Sequence, residues 1–310
     1  MVFSYSGLDL YRYNLLAQEW NLDFVQLRPG KFSANISQFI SPNFQIGHTS
    51  FNCAVKQEGR SPEGVWTFAF ANNVNIYWRN YIVHPKSIII YAPGSEINAV
   101  SAANFDVMVF SISESQLLSI AKKEHRENLI HRLKSIELFS THDAQWDVLR
   151  NSIARGLNSL SQTSNSKIRA NFMNNFTKGL IRLMQGAEIS VDKVSGKKRL
   201  KLLQAAEAIM LNNLTEHISV ADVSRQLNVS ERTLLYAFKN QFDMGPKAYM
   251  KVLKLNHAHH LLHRGIGSDT ISAIARESGF WHMGQFHTDY KRFFGELPSD
   301  TVNSAEEDIK

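Results

Sequence analysis

Apolar positions change period along this chain. Between Asp23 and Ser111 they fall in short runs rich in β-branched and aromatic residues, the pattern of β-strands. The runs are 24–27, 33–40, 44–55, 65–71, 75–78, 87–91 and 105–111. Pro29-Gly30, Ser41-Pro42, Pro62-Glu63-Gly64, Asn72-Asn73 and Pro93-Gly94 punctuate them. Many short strands at this spacing predict a barrel or sandwich. After Ser113 the period becomes helical, with helices predicted over 114–123, 144–160 and 167–184. The second of these sets Trp146, Leu149, Ile153, Leu157 and Leu160 on one face. Residues 186–198 are polar, end in Ser195-Gly196-Lys197-Lys198, and read as an interdomain linker.

Beyond the linker one pattern occurs twice. Val220, Val223, Leu227 and Val229 follow one helix into a turn, and Leu234 and Phe238 carry the apolar face onto a second helix. Ile271, Ile274, Ser278 and Phe280 repeat the first four positions. Phe286 and Tyr290 repeat the last two, after a turn one residue longer. Asn228 and Gly279 fall where positive φ is wanted, which these residue types tolerate best. Ser219 with Asp222 predicts a capping box, and Ser230 an N-cap. Small Ser224 and Ala275 leave room for the paired helices to cross closely. The segment 247–262 predicts one long helix joining two helix-turn-helix units.

Several further residues make this region similar to the AraC/XylS family of bacterial transcription regulators over about the last hundred residues. They are Gly245-Pro246, Tyr249, Leu255, Ala258, Leu261, Leu262, Ile274-Ala275, Gly279-Phe280, Phe286, Tyr290-Lys291, Phe294-Gly295 and Pro298-Ser299. Lys254, Asn228 and His282 depart from the family's usual Arg, Gly, and Ser or Asp. The run from Gly279 through Trp281 to Phe286, with Asp289-Tyr290 behind it, resembles the ethanolamine-utilisation regulators, as does the stretch from Leu27 to Phe32. The resemblance implies a cupin-like effector barrel at 23–112 within an effector and possible dimerisation domain at 1–185. It also implies that helices at 114–184 offer a dimer surface.

The expected fold is therefore α+β. An N-terminal cupin-like β-barrel with following helices precedes a linker at 186–198, an all-α DNA-binding domain at 199–300 and an acidic tail at 301–310.

Charge qualifies this picture without locating the site. The net charge of +6 suits a polyanionic partner. Residues 196–310 nevertheless carry 15 Lys and Arg against 13 Asp and Glu, three of the acids being Glu306, Glu307 and Asp308. The lone Cys53 can form no internal disulfide and reads as a small buried residue. No signal peptide or membrane-length apolar run is visible, so a bacterial cytoplasmic location, on the nucleoid when DNA-bound, is expected.

On the first recognition helix, with Leu234 and Phe238 inward, Glu231, Arg232, Leu235, Tyr236 and Lys239 face outward. The family places base contacts at the positions of Arg232, Leu235 and Tyr236. Arg232 is the strongest candidate, because a guanidinium pairs with O6 and N7 of guanine together. The second helix offers Met283, Gly284, Gln285, His287 and Thr288, with Lys291 and Arg292 for the backbone. It is poorer in hydrogen-bonding groups, and Trp281 beside its turn is expected to pack against the motif.

Trp66, Phe68, Phe70, Trp78 and Tyr91 are candidates either for an effector pocket or for core. Among His257, His259 and His260 only the first and last share a helix face, so a solvated or phosphate-facing histidine face is expected, with no metal and no cofactor. No catalytic set is evident, and the barrel lacks the paired-histidine run of metal-dependent cupins. These features together predict a ligand-responsive activator that binds double-stranded DNA, senses a small-molecule effector, engages RNA polymerase and forms a possible homodimer. The rivals are a cupin-type enzyme with a DNA-binding module and an architectural protein without effector.

Overall fold

The computed structural model describes residues 2–17, 22–72, 76–78, 81–133, 138–140, 143–186, 197–216, 218–264 and 270–307. The N-terminal half begins with β1 (Val2–Leu8), α1 (Leu10–Leu16), β2 (Asp23–Gln26), β3 (Ala34–Ile40), β4 (Phe44–Phe51), β5 (Val55–Arg60) and β6 (Val65–Ala71). It continues through β7 (Ile76–Trp78), β8 (Tyr81–Val83), β9 (Ser87–Tyr91), β10 (Glu96–Ser101) and β11 (Phe105–Ser113). Then come α2 (Glu114–Lys123), α3 (Glu127–Leu133), β12 (Leu138–Ser140), α4 (Asp143–Ser161) and α5 (Ser166–Gly186).

The expected barrel is not closed. The strands form a seven-stranded sheet, ordered β1-β3-β4-β11-β6-β9-β12, and a five-stranded sheet, ordered β2-β5-β10-β7-β8. The single run expected over 44–55 is two strands, β4 in one sheet and β5 in the other, and the chain changes sheets at Asn52 and Cys53. Such a change of sheet lets a curved β domain form a sandwich in place of a closed ring.

Alternation of side chains sorts these layers. Trp66, Phe68 and Phe70 of β6, with Phe110 and Ile112 of β11, face α2, α3, α4 and α5 across one core. Ala69 and Ala71, with Ile89, Tyr91 and Val107, face the opposite way and meet Val55, Ile76, Trp78, Ile97 and Ala99 of the smaller sheet. Cys53 is buried in that second core, as its small apolar character predicts, and burial raises its thiol pKa.

The C-terminal half comprises α6 (Lys197–Asn212), α7 (Val220–Gln226), α8 (Glu231–Phe242), α9 (Pro246–His263), α10 (Ile271–Glu277), α11 (Met283–Phe294) and α12 (Pro298–Glu307). Most of the expected linker, 187–196, lies outside the described residues, and helix α6 already starts at Lys197. The expected tail at 301–310 is helical through Glu307. Val302 and Ala305 are buried, and the Thr301 hydroxyl bonds Tyr290, which gives this segment apolar and polar reasons to fold back.

Leu27, just after β2, and Val100 of β10 share a core with Leu203, Phe238, Tyr249 and Phe293, so the two halves pack on one another. Asn256 of α9 exchanges a reciprocal pair of bonds with the Gln26 backbone, each 2.9 Å. Beside it, Lys56 meets Glu207 of α6 at 2.6 Å with both side chains buried.

Candidate nucleic-acid interface

Each motif is built by local chemistry. The Ser219 hydroxyl accepts from Asp222 N while Asp222 Oδ2 accepts from Ser219 N, a complete capping box at the start of α7. Ser230 caps α8 and Thr270 caps α10 through their hydroxyls, contacts worth about 1 kcal/mol each. Asn228 and Gly279 both take positive φ, 52° and 78°. Ser224 and Ala275 are buried where α7 and α10 approach their partner helices. Four residues separate α7 from α8 and five separate α10 from α11, which is the one-residue insertion seen in the sequence repeat.

Helix α9 then fixes the second motif. Lys251 reaches Asp289 Oδ2 at 2.5 Å, Lys254 donates to the Gly279 carbonyl at 3.4 Å, and His257 Nδ1 meets the Ser278 hydroxyl at 3.1 Å. Burial pushes the Asp289 carboxyl up, but bonds from Lys251 and Gln285 and the nearby charges of Lys251 and Arg292 outweigh it and hold it below the usual range. Burial lowers the pKa of Lys254 and of His257.

The recognition faces are open. Glu231, Arg232, Leu235, Tyr236 and Lys239 are exposed on α8, while Leu234, Ala237 and Phe238 are buried. Arg232 donates to the Tyr236 hydroxyl at 3.3 Å and lies 5.4 Å from its ring centre, so the two side chains form one unit. On α11, Gly284, Gln285, His287, Thr288, Lys291 and Arg292 are exposed and Met283 is half-buried. The Thr288 hydroxyl donates to the Gly284 carbonyl at 2.9 Å. Arg292 is held at 2.7 Å by buried Asp289, so it is positioned rather than free to swing. Trp281, expected to pack against the motif, is instead 68% exposed, because the turn is filled by Phe280 against Phe286.

Residues 26–31 touch the far ends of both recognition helices. Arg28 donates to the Phe242 carbonyl at 2.8 Å and pairs with Asp243 at 3.1 Å, at the C-terminus of α8. Gly30 N donates to the Phe293 carbonyl at 2.8 Å, at the C-terminus of α11. Cationic and N–H groups are favoured at such termini because the last helical carbonyls have no intrahelical partner. Sequence reasoning noticed this stretch for its resemblance and missed its role as a clamp, since its targets lie over two hundred residues away.

The five effector-pocket candidates do not share one wall. Trp66, Phe68 and Phe70 face the helices, and Trp78 and Tyr91 lie between the sheets. Between the sheets is a cavity of about 130 Å³, and of the five only Tyr91 lines it. Its other walls include Tyr13, Phe24, Ile36, Ile97 and Phe105, with Gln38, Gln57 and Thr49 as polar groups.

The histidine face also differs from expectation. His260 is exposed, but His259 is buried, stacked 4.3 Å from Phe294 and edge-on to His263 at 4.5 Å. Burial, with the charges of His263 and His260, pushes the His259 pKa well below its ordinary value.

Residues 223–304 match the family model described as a helix-turn-helix domain. Those residues form a helix-turn-helix domain. The chain is 32% identical over 98 residues to the XylDLEGF operon transcriptional activator of Pseudomonas putida, covering 31% of this chain and 30% of that protein. It is 33% identical over 89 residues to the "Probable thc operon regulatory protein" of Rhodococcus erythropolis, covering 28% and 27%. The matches thus span less than a third of these relatives. A crystal structure of the AraC-like transcriptional activator CuxR is 14% identical, covering 89% of this chain and 99% of that one with a TM-score of 0.45. Among the described residues no helix is long and apolar enough to cross a membrane.

Proposed function

We propose that the chain is a sequence-specific DNA-binding transcription regulator, a ligand-responsive activator rather than an enzyme. The observation that carries this reading is that the N-terminal halves of α8 and α11 are exposed while both helices are gripped at their C-termini by residues 26–31. A recognition helix presents its N-terminal residues to the major groove, so the half that must dock is open and the other half reports to the sensing domain. A small effector in the inter-sheet cavity would bias the clamp by binding one arrangement of the two domains better than another. RNA polymerase is the partner an activator requires. Exposed Val148 on α4 and Ile168 on α5 are the surface offered to a second copy. Within the family, the runs at 279–286 and 27–32 favour the ethanolamine-utilisation branch.

Specificity and grip should separate on mutation. Arg232→Ala is expected to cost about 1–3 kcal/mol on the cognate operator and to relax preference at one base pair. Lys291→Ala should weaken all sequences alike and reduce the salt dependence by about one phosphate contact. Titrations at several salt concentrations on cognate and altered sites distinguish them; equal losses on every sequence for Arg232→Ala would make it a phosphate contact only.

Readout should also be unequal between the motifs. Arg232 and Tyr236 offer donors on α8, whereas the Thr288 hydroxyl is already spent on its own helix. Base changes under α8 are therefore expected to cost about 1–3 kcal/mol each, and those under α11 less unless they alter groove shape. A substitution scan of the operator measures this. If the least tolerant positions lie under 283–288, Gln285 or His287 reaches the bases.

A further inference from the structure

One side-chain cluster lies outside the DNA-binding surface and has no part in the function proposed above. His259 and His263 occupy successive turns of α9 on one face, and Glu296 follows the end of α11. Their nearest ligand-capable atoms all lie within 4.8 Å of one another. The two imidazoles are fixed from either side, His259 by Phe294 at 4.3 Å and His263 by Tyr11 at 4.9 Å with the rings 4° from parallel. One oxygen of the carboxylate is tethered. Thr301 donates to Glu296 Oε1 at 2.6 Å, and the Thr301 hydroxyl is itself bonded by Tyr290 at 2.8 Å, with Thr301 and Tyr290 both fully buried.

We propose that His259, His263 and Glu296 form a binding site for a first-row divalent metal ion of the zinc class. Two histidines at i,i+4 on a helix with a carboxylate from elsewhere supply the two nitrogens and one oxygen that zinc takes in three-ligand sites, leaving a fourth position for water. The Tyr290–Thr301–Glu296 chain gives the carboxylate the outer hydrogen bonding that orients ligands in such sites. Calcium and magnesium are disfavoured because they prefer oxygen ligands throughout.

Binding would require the cluster to tighten. Ligands at about 2.0–2.2 Å from zinc lie roughly 3.4 Å apart in tetrahedral geometry. The histidines are pinned by stacking, whereas the Glu296 side chain is partly exposed, so Glu296 is the group that moves. Its other oxygen, Oε2, stands 3.8 Å from Lys31 Nζ, in the clamp segment. Metal binding and the Lys31 contact therefore compete for one carboxylate.

The test uses the full chain, stripped with chelator and titrated with zinc against a chromophoric competitor, with cobalt(II) as a spectroscopic probe. One equivalent should bind tightly, raise the melting temperature and, as cobalt, give visible ligand-field bands. Glu296→Gln and His263→Phe should each weaken affinity at least about tenfold, the loss seen even when outer-shell groups of metal sites are changed. Glu296→Gln keeps an acceptor for Thr301, and His263→Phe keeps an aromatic ring against Tyr11, so chelator-treated variants should melt close to the parent. His260→Ala, altering the exposed neighbour, should leave affinity unchanged. Failure of the parent to bind zinc, or equal binding by parent, Glu296→Gln and His263→Phe, would overturn the site.

Discussion

Lys56→Met is expected to lower the stability of the chain by about 3–5 kcal/mol at neutral pH, the usual cost of removing one partner from a buried ion pair. Lys56 projects from the smaller sheet to Glu207 at 2.6 Å and Glu58 at 2.7 Å, and Lys56 and Glu207 are both almost wholly buried. The fully buried Tyr249 hydroxyl donates to the same Glu207 oxygen. Burial raises the Glu207 pKa and the Lys56 charge works against that rise, so the variant raises it further.

The sign of the pH dependence follows. A carboxyl whose folded pKa lies above its unfolded value of about 4.3 binds more protons when folded, so stability falls as pH climbs from there toward the folded pKa. Lys56→Met should consequently be more stable at pH 5 than at pH 7.5, relative to the parent at each pH. Adding Glu207→Leu should recover part of the loss, since an apolar pair replaces a buried ionic one at little cost. Adding Tyr249→Phe should recover more by removing a hydroxyl left without its acceptor. Urea unfolding of the four proteins at the two pH values measures this. A loss under about 1 kcal/mol for Lys56→Met, the scale of an exposed pair, would mean that water reaches Glu207 freely.

The helix-turn-helix units were legible because their signals are local. Ser219 with Asp222, Ser230, Asn228 and Gly279 each state a backbone conformation within a few residues of themselves, and all four adopt it. The strands at 65–71 and 87–91 were legible as short runs rich in β-branched and aromatic residues between turn signals, and they are buried on both faces because each lies between two cores. β10 was not legible. Its Asn98 and Ser101 look like surface residues, yet Asn98 is buried against Glu58 at 3.2 Å and Ser101 against the Val55 carbonyl at 3.4 Å.

Period alone also cannot say which sheet a strand joins. That is why Trp66, Phe68 and Phe70 were grouped with Trp78 and Tyr91 although a sheet divides them. The domain junction was hidden for a similar reason, since Gln26, Lys56, Glu207 and Asn256 are polar residues made burial-tolerant only by one another. The His259–His263 pair, four residues apart, was missed because the histidines were weighed only as far as His260. Its completion by Glu296 depends on where α11 ends in space.

Gly279→Ala is expected to destabilise the C-terminal domain by about 3 kcal/mol, against about 1 for Asn228→Ala at the matching turn. Both positions have positive φ, which costs an L side chain about 1–2 kcal/mol, and Asn pays part of that cost already in the first motif. The difference is space. A Cβ on Gly279 would run into the Leu214 carbonyl oxygen and the end of Lys254. The lysine can swing away, losing its bond to the Gly279 carbonyl, but the Leu214 carbonyl is backbone and can yield only by shifting the chain between α6 and α7. Such overpacking costs about 1–3 kcal/mol beyond the torsional term.

The effect should reach DNA through α11, because Gly279 N bonds the Arg276 carbonyl and Phe280 N the Ala275 carbonyl, setting the direction in which the second recognition helix leaves the turn. Denaturant unfolding, followed by Trp281 fluorescence beside that turn, gives the stability loss. Footprinting should show protection fading under the second motif first. If Gly279→Ala costs no more than Asn228→Ala, the chain around Leu214 yields without strain, and the second turn tolerates a side chain as the first one does.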